Sequence, residues 1–219
     1  IKEYGKTKSV KLITRYDFEA FIEHEQDRGL KPSTVRSRIV WVYAFLKFLN
    51  REGILPAEIL DRRIQIKMPQ RLPRALATKD VDKFISTLDK VRDRAIFLML
   101  LRTGMRVGEL LKLYINDVDL YESKVKIYEG EKNAVGRVVY FSDDARDALR
   151  EWLKIKDPGK ARMFHSRRRS TLGYESVRRL FAKYMDKAGL ADKGYTIHCL
   201  RHTYASQLLN AGLPLECLR

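Results

Sequence analysis

The segment "TIHCLRHTYASQLL", residues 196–209, sets His198 and Arg201 three positions apart in an otherwise apolar stretch. On a helix that spacing makes them neighbours on one face. An imidazole beside a planar guanidinium fork is suited to gripping and polarising an oxyanion, most simply a phosphate. The plainer alternative is a surface helix with a basic edge. Two more places could join such a site: Arg106, at the start of "MRVGELLKL" just after Thr103 and Gly104, and Lys132, in the loop "EGEKNAVG". Taken singly, each is an ordinary surface cation. Glu109, three residues after Arg106, is either a support for that arginine or a helix-surface glutamate.

The elements that must carry these residues can be read from periodicity. Thr14 with Asp17 resembles a capping box, and Tyr16, Phe18, Phe21 and Ile22 supply the apolar positions of a first helix ending before Gly29. A second helix starts at Pro32 and Ser33, with Val35, Ile39, Val42, Leu46 and Leu49 as its inner face. Arg36, Arg38 and Lys47 lie among its remaining positions, either as nucleic-acid contacts or as plain solvated cations. The stretch 61–76 carries Pro69, Pro73 and several basic residues without a helical stripe, which reads as a connector. Arg71 and Arg74 in it are candidates for lying along phosphates. The division expected is therefore a helical domain over 1–60, a linker over 61–76 and a second domain over 77–219.

In the second domain Thr78 is expected to cap a helix reaching about Leu88. "RDRAIFLMLLRTG" reads as a buried helix closed by Gly104, whose lack of a side chain suits a left-handed C-cap. The runs "VKIY" and "RVVYF" are β-rich and flank the loop that holds Lys132, so a hairpin is expected, with "NDVDL" a candidate third strand. Helices resume at "DDARDALREWL" and "YESVRRLFAKYMDKAG", before the helix of His198 and Arg201.

Composition narrows the partner. The chain has 219 residues, 45% of them hydrophobic, and a formal charge of +16 from 44 Lys+Arg against 28 Asp+Glu. That is enough apolar content for a real core, and enough distributed positive charge to favour a polyanion, whose condensed counterions are released on binding. No run reaches the roughly 18 consecutive apolar residues of a membrane span, so no membrane partner is expected. Cys199 and Cys217 are too few for a disulfide framework and read as free thiols of a reducing, cytoplasmic setting. No carboxylate pair or His/Cys cluster with ligand spacing surrounds the candidate residues, so no metal or other cofactor is expected.

The order "TGMRVGELLKL", β-hairpin with lysine, then "HCLRHTYASQLLNAGL" resembles the tyrosine recombinase, or phage integrase, family and its Xer-like members. The resemblance runs from the amino-terminal bundle through the basic "LPRAL" connector to Arg219. It implies a mostly α-helical, two-domain protein with a small antiparallel sheet: a SAM-like core-binding bundle and a catalytic domain, closing on duplex DNA as a C-shaped clamp. By the same resemblance Arg106 and Arg201 hold the scissile phosphate, His198 contacts it, Glu109 supports the site, and Lys132 is the hairpin lysine. The segment "EGEKNAVGR" is a little longer than the family's "GKGxKxR", which leaves Lys124 and Lys126 as alternatives. The implied activity is site-specific recombination through a 3′-phosphotyrosyl intermediate and a Holliday junction, by a tetramer on paired DNA sites.

That chemistry needs no metal. Attack on a phosphodiester builds negative charge on the nonbridging oxygens, which fixed guanidinium forks match, and a lysine desolvated by DNA can protonate the leaving 5′ oxygen. The family pattern continues past "GLPLECL" with a further ligand box and the nucleophile tyrosine, both beyond Arg219, so residues 1–219 are not expected to complete strand cleavage alone. Two rivals remain: a DNA-binding protein without the chemistry, and a type IB topoisomerase-like strand transferase.

Overall fold

The computed structural model describes residues 9–61, 64, 66, 68, 74–128, 136–166 and 170–214. The chain forms two compact units, Ile1–Arg71 and Leu72–Arg219, each with its own core. Helices dominate, and the only sheet among the described residues is a three-stranded antiparallel one.

In the first unit α1 spans Arg15–Asp27 and α2 spans Pro32–Arg51. The Thr14 side chain and the Asp17 amide, and in return the Asp17 carboxylate and the Thr14 amide (2.8 Å), close the capping box that starts α1. Pro32 opens α2 at a position whose amide has no helical acceptor. The buried stripe of α2 is Val35, Ile39, Tyr43, Leu46 and Leu49, while the expected Val42 is only half-buried. Tyr43 takes that place because its ring meets Phe18 edge-on at 4.9 Å and its hydroxyl accepts the Ile64 amide at 2.7 Å. Glu25 is buried between the guanidinium groups of Arg28 and Arg38.

The second unit is built on α4 (Val91–Thr103), in which every residue from Ala95 to Leu101 is buried. Such a helix needs cover on all sides. α3 (Thr78–Ser86), α6 (Asp143–Ile155), α7 (Tyr174–Lys187) and α8 (His198–Asn210) join it in one core. α6 turns Ala145, Ala148, Leu149 and Trp152 inward, a spacing that makes one stripe. Phe84, Phe97, Phe181 and Tyr184 knit α3, α4 and α7 with ring separations of 5.4 to 6.1 Å. Thr78 does not cap α3: the N-cap is Ala77, whose carbonyl takes the first helical bond, and Thr78 is already helical. The helix ends at Ser86, two residues before the Leu88 expected.

β1 (Val118–Asp119), β2 (Lys124–Ile127) and β3 (Arg137–Tyr140) pair in sequence order, with Val118 opposite Val125 and Val125 opposite Val139. β1 is the third strand anticipated in "NDVDL". The short α5 (Val107–Lys112) lies between α4 and this sheet in sequence. Two polar anchors fix α8: the Leu76 amide donates to the Thr203 hydroxyl at 2.8 Å, and the buried Asp80 carboxylate accepts from Lys193 (2.6 Å) and Tyr195 (2.8 Å) in the turn that leads into the helix. With Cys199, Leu200 and Thr203 buried, the edge bearing His198 and Arg201 is turned outward.

Candidate active site

α4 ends at Gly104, whose left-handed backbone (φ 60°) any side chain would strain, and a Cβ there would overlap the Tyr204 ring. The reversal lets the chain run straight from α4 into α5. Arg106 is the N-cap of α5, extended at φ −72° and ψ 147°. Its side chain cannot accept a hydrogen bond, so Glu109 does the capping: the Glu109 carboxylate accepts the Arg106 amide at 2.7 Å. The same carboxylate accepts from the Arg106 guanidinium at 3.0 Å and from the Arg137 guanidinium at 2.7 Å. Burial alone would push the Glu109 carboxyl up. The Arg106 amide, then Arg137, then the Arg106 guanidinium outweigh that and hold it below the usual carboxylate range.

Arg201 comes to this place from the other end of the chain. It is half-buried on α8, and its guanidinium donates to the Gly104 carbonyl, one of the acceptors that α4 leaves open at its C-terminus. Burial first, and then the neighbouring Arg106 charge, lowers the proton affinity of Arg201, although a guanidinium so shifted is still charged. An arginine held against another arginine in this way is under electrostatic tension that an anion relieves. Arg106, Arg137 and Arg201 against the single Glu109 carboxylate leave a net charge of +2 at the cluster. His198 is exposed at the first position of α8 and lines, with Arg106, Glu109, Tyr128 and Tyr174, a groove of about 930 Å³.

Of the residues expected from the sequence, the structure therefore gathers Arg106, Glu109, His198 and Arg201. Lys132 and Arg71 lie outside the described residues. Of the two alternatives to Lys132, Lys126 lines the groove, and Lys124 is paired with Glu122. Arg36 and Lys47 are exposed on α2, and Arg38 is tied to the buried Glu25. Arg74 is exposed and donates to the Lys193 carbonyl at 2.9 Å. Tyr204 is half-buried on Gly104, and burial raises its hydroxyl pKa, which marks it as a packing residue. Among the described residues no group of three His, Cys, Asp or Glu side chains could hold a metal ion, and no helix is long and apolar enough to cross a membrane.

Sequence reasoning passed over two arginines. Arg137 shares the parity of Val139 on β3, and both are half-buried where their neighbours are exposed, so strand alternation was a usable signal for it. Arg162 sits between elements, where no periodicity points, and lines the same groove.

Comparison with known proteins matches residues 74–219 to the phage integrase family. The chain belongs to that family. Among curated relatives of this integrase-family chain, a tyrosine recombinase XerC from Roseiflexus castenholzii is 32% identical over 221 residues, covering 94% of this chain and 69% of that protein. A tyrosine recombinase XerA from Pyrococcus horikoshii is 31% identical over 190 residues, covering 85% and 64%. The crystal structure of a XerA recombinase superposes with a TM-score of 0.63 at 27% identity, covering 99% of this chain and 76% of that one. A XerH recombinase bound to its difH substrate shares the fold, with a TM-score of 0.74 at 21% identity and 96% and 64% coverage. The chain is thus a Xer-like tyrosine recombinase, of an enzyme family that cleaves and rejoins DNA in site-specific recombination.

Proposed function

We propose that Arg106 and Arg201 are the two guanidinium clamps of the scissile phosphate in a specific recombination site on duplex DNA, with His198 as a third donor. The observation that carries this reading is the meeting of the two arginines: Arg201, pinned to the Gly104 carbonyl, is close enough to Arg106 to feel its charge. As the tyrosine oxygen attacks phosphorus, negative charge grows on the nonbridging oxygens, and donors already fixed in place stabilise it without reorganising. Glu109 is the residue that orients Arg106. Lys132 is the proton donor to the leaving 5′ oxygen; it lies in chain order between Tyr128, which lines the groove, and Arg137, which joins the cluster. Arg36, Lys47, Arg71 and Arg74 meet backbone phosphates, and Arg38 divides its charge between DNA and Glu25. The assembly is a tetramer of recombinase on paired sites, working in the cytoplasm.

The test is Arg201→Lys in the full-length protein. Lysine keeps the charge and loses the planar fork. Covalent protein–DNA complex on a nicked suicide substrate should fall by orders of magnitude, with little change in duplex affinity or melting temperature. Equal losses of affinity and cleavage would make Arg201 a ground-state anchor instead. A wild-type protein that binds its site but never forms an adduct would be a binder only.

A further inference from the structure

The groove beside Arg106 extends past the residues that the reaction accounts for. At its far end the Arg162 guanidinium lies 4.1 Å above the Tyr114 ring and donates one N–H to the Lys112 carbonyl, at the C-terminal end of α5. The backbone at these two residues is clamped as an antiparallel bridge, through Ile115 N–H to the Ala161 carbonyl (3.2 Å) and Met163 N–H to the Leu113 carbonyl (2.8 Å). Arg162 is therefore held on its backbone, its ring partner and its acceptor at once. Unlike Arg106 and Arg137, it has no carboxylate partner among the described residues, and the same is true of Lys112 and Lys126 on the same groove. The carboxylate at this end, Asp117, is engaged by the Tyr114 amide at 2.7 Å.

We infer that Arg162, stacked on Tyr114, is a second phosphate seat that grips the DNA strand beside the scissile phosphate. The inference rests on the recombinase reading of the site. Its physical basis is the rigid spacing: Arg106 stands at the N-terminus of α5 and Arg162 sits on the carbonyl at the other end, six residues on. At about 1.5 Å of rise per residue the helix separates them by about 9 Å. Successive phosphates of one strand lie further apart in space than their rise of about 3.4 Å along the duplex axis, because the strand also winds around it, so the second seat takes a phosphate neighbouring the first on the same strand. A stacked guanidinium is preorganised for this, since its rotamer freedom is already spent within the protein. Phosphate contacts position rather than specify, so the seat sets the register of the strand over Arg106 and does not read bases.

The experiment follows duplex binding by fluorescence anisotropy across a salt series, for the wild-type chain, Arg162→Ala and Tyr114→Leu, with thermal melts of each. Arg162→Ala should lower the slope of log affinity against log salt by about 0.9, the contribution of one phosphate, equally on specific and random duplexes. Tyr114→Leu keeps the charge and the Lys112 bond, so it should leave the slope unchanged and weaken binding several-fold. A folded Arg162→Ala protein with the wild-type slope overturns the second seat and leaves Arg162 as a cap on α5. If Arg162→Ala does not fold, Tyr114→Leu decides: wild-type affinity overturns the seat. A wild-type chain with no salt-dependent duplex binding fails the recombinase reading itself, which is a different outcome from a normal wild type with a silent Arg162.

Discussion

Glu109 is the one negative group among three arginines, and its removal separates two jobs. Glu109→Ala deletes the α5 cap on the Arg106 amide (2.7 Å), the Arg137 pair (2.7 Å) and the Arg106 pair (3.0 Å). An N-terminal cap contributes about 1 kcal/mol. The half-buried pair with Arg137 adds about 1 kcal/mol, and the Arg106 pair, on a side chain that is 59% exposed, adds a few tenths at most. The total of about 2 kcal/mol corresponds to a melting temperature lower by about 4–8 °C for a unit of this size. Glu109→Gln keeps a carbonyl that can cap the Arg106 amide and loses only the ion pairs, so about half that drop is expected. Because the folded protein holds Glu109 below its ordinary pKa, its stabilisation is complete at neutral pH and disappears as acid protonates it. Wild type and Glu109→Gln should therefore converge on acidification. Duplex affinity should hold or rise in both variants, since the cluster goes from +2 to +3. Calorimetry across pH with anisotropy on the same samples reads all of this. Equal melting losses for Ala and Gln would refute the capping role, and no loss in either would refute the whole bridging geometry. A folded Glu109→Ala chain with weakened DNA binding would show that holding Arg106 in place outweighs the added positive charge.

Three further outcomes follow from other contacts. Arg38→Ala should destabilise the first unit by about 1–2 kcal/mol, since it strips a charged partner from the buried Glu25, while Arg36→Ala, exposed on the same helix, should leave the melt unchanged; equal melts would show that Arg28 alone satisfies Glu25. Gly104→Ala should cost about 3 kcal/mol or more by calorimetry, from a strained left-handed residue and an overlap with Tyr204, and a near-native melt would mean that α8 shifts freely. Asp89 is held down at about 2, by the Lys187 hydrogen bond first and the Tyr184 hydroxyl second, so its contribution is full above about pH 4 and is lost as pH falls toward 2. Asp89→Asn should flatten the melting-temperature curve in that window, and an unchanged acid limb would point to other carboxylates.

Much of this was legible in the chain. The stripe of α2, the apolar run of α4, Gly104 and the strands flanking "EGEKNAVG" follow from period and turn chemistry alone. The same applies to His198 with Arg201, because a spacing of three is a local property. What could not be read is what arises between distant residues. That Tyr43 replaces Val42 inside depends on Phe18 and Ile64. That Ala77 rather than Thr78 is the N-cap of α3 depends on where the Leu76 amide is anchored, and its partner is Thr203. The bridging role of Glu109 needed Arg137, 28 residues on, and the seat at Arg162 needed a backbone bridge to Tyr114.

The Gly104 reversal ties the two arginines of the site into one mutable object. Its carbonyl holds Arg201, its missing side chain admits Tyr204, and its left-handed turn delivers Arg106, all from one residue. Sequence drift on either side is then constrained as a set: a side chain at 104 meets both the left-handed backbone and the Tyr204 ring, so a smaller residue at 204 removes only the second obstacle, and any change that moves that carbonyl moves Arg201 with it. Grafting this site into another scaffold would mean transplanting the 104–204 contact first and the charged residues second.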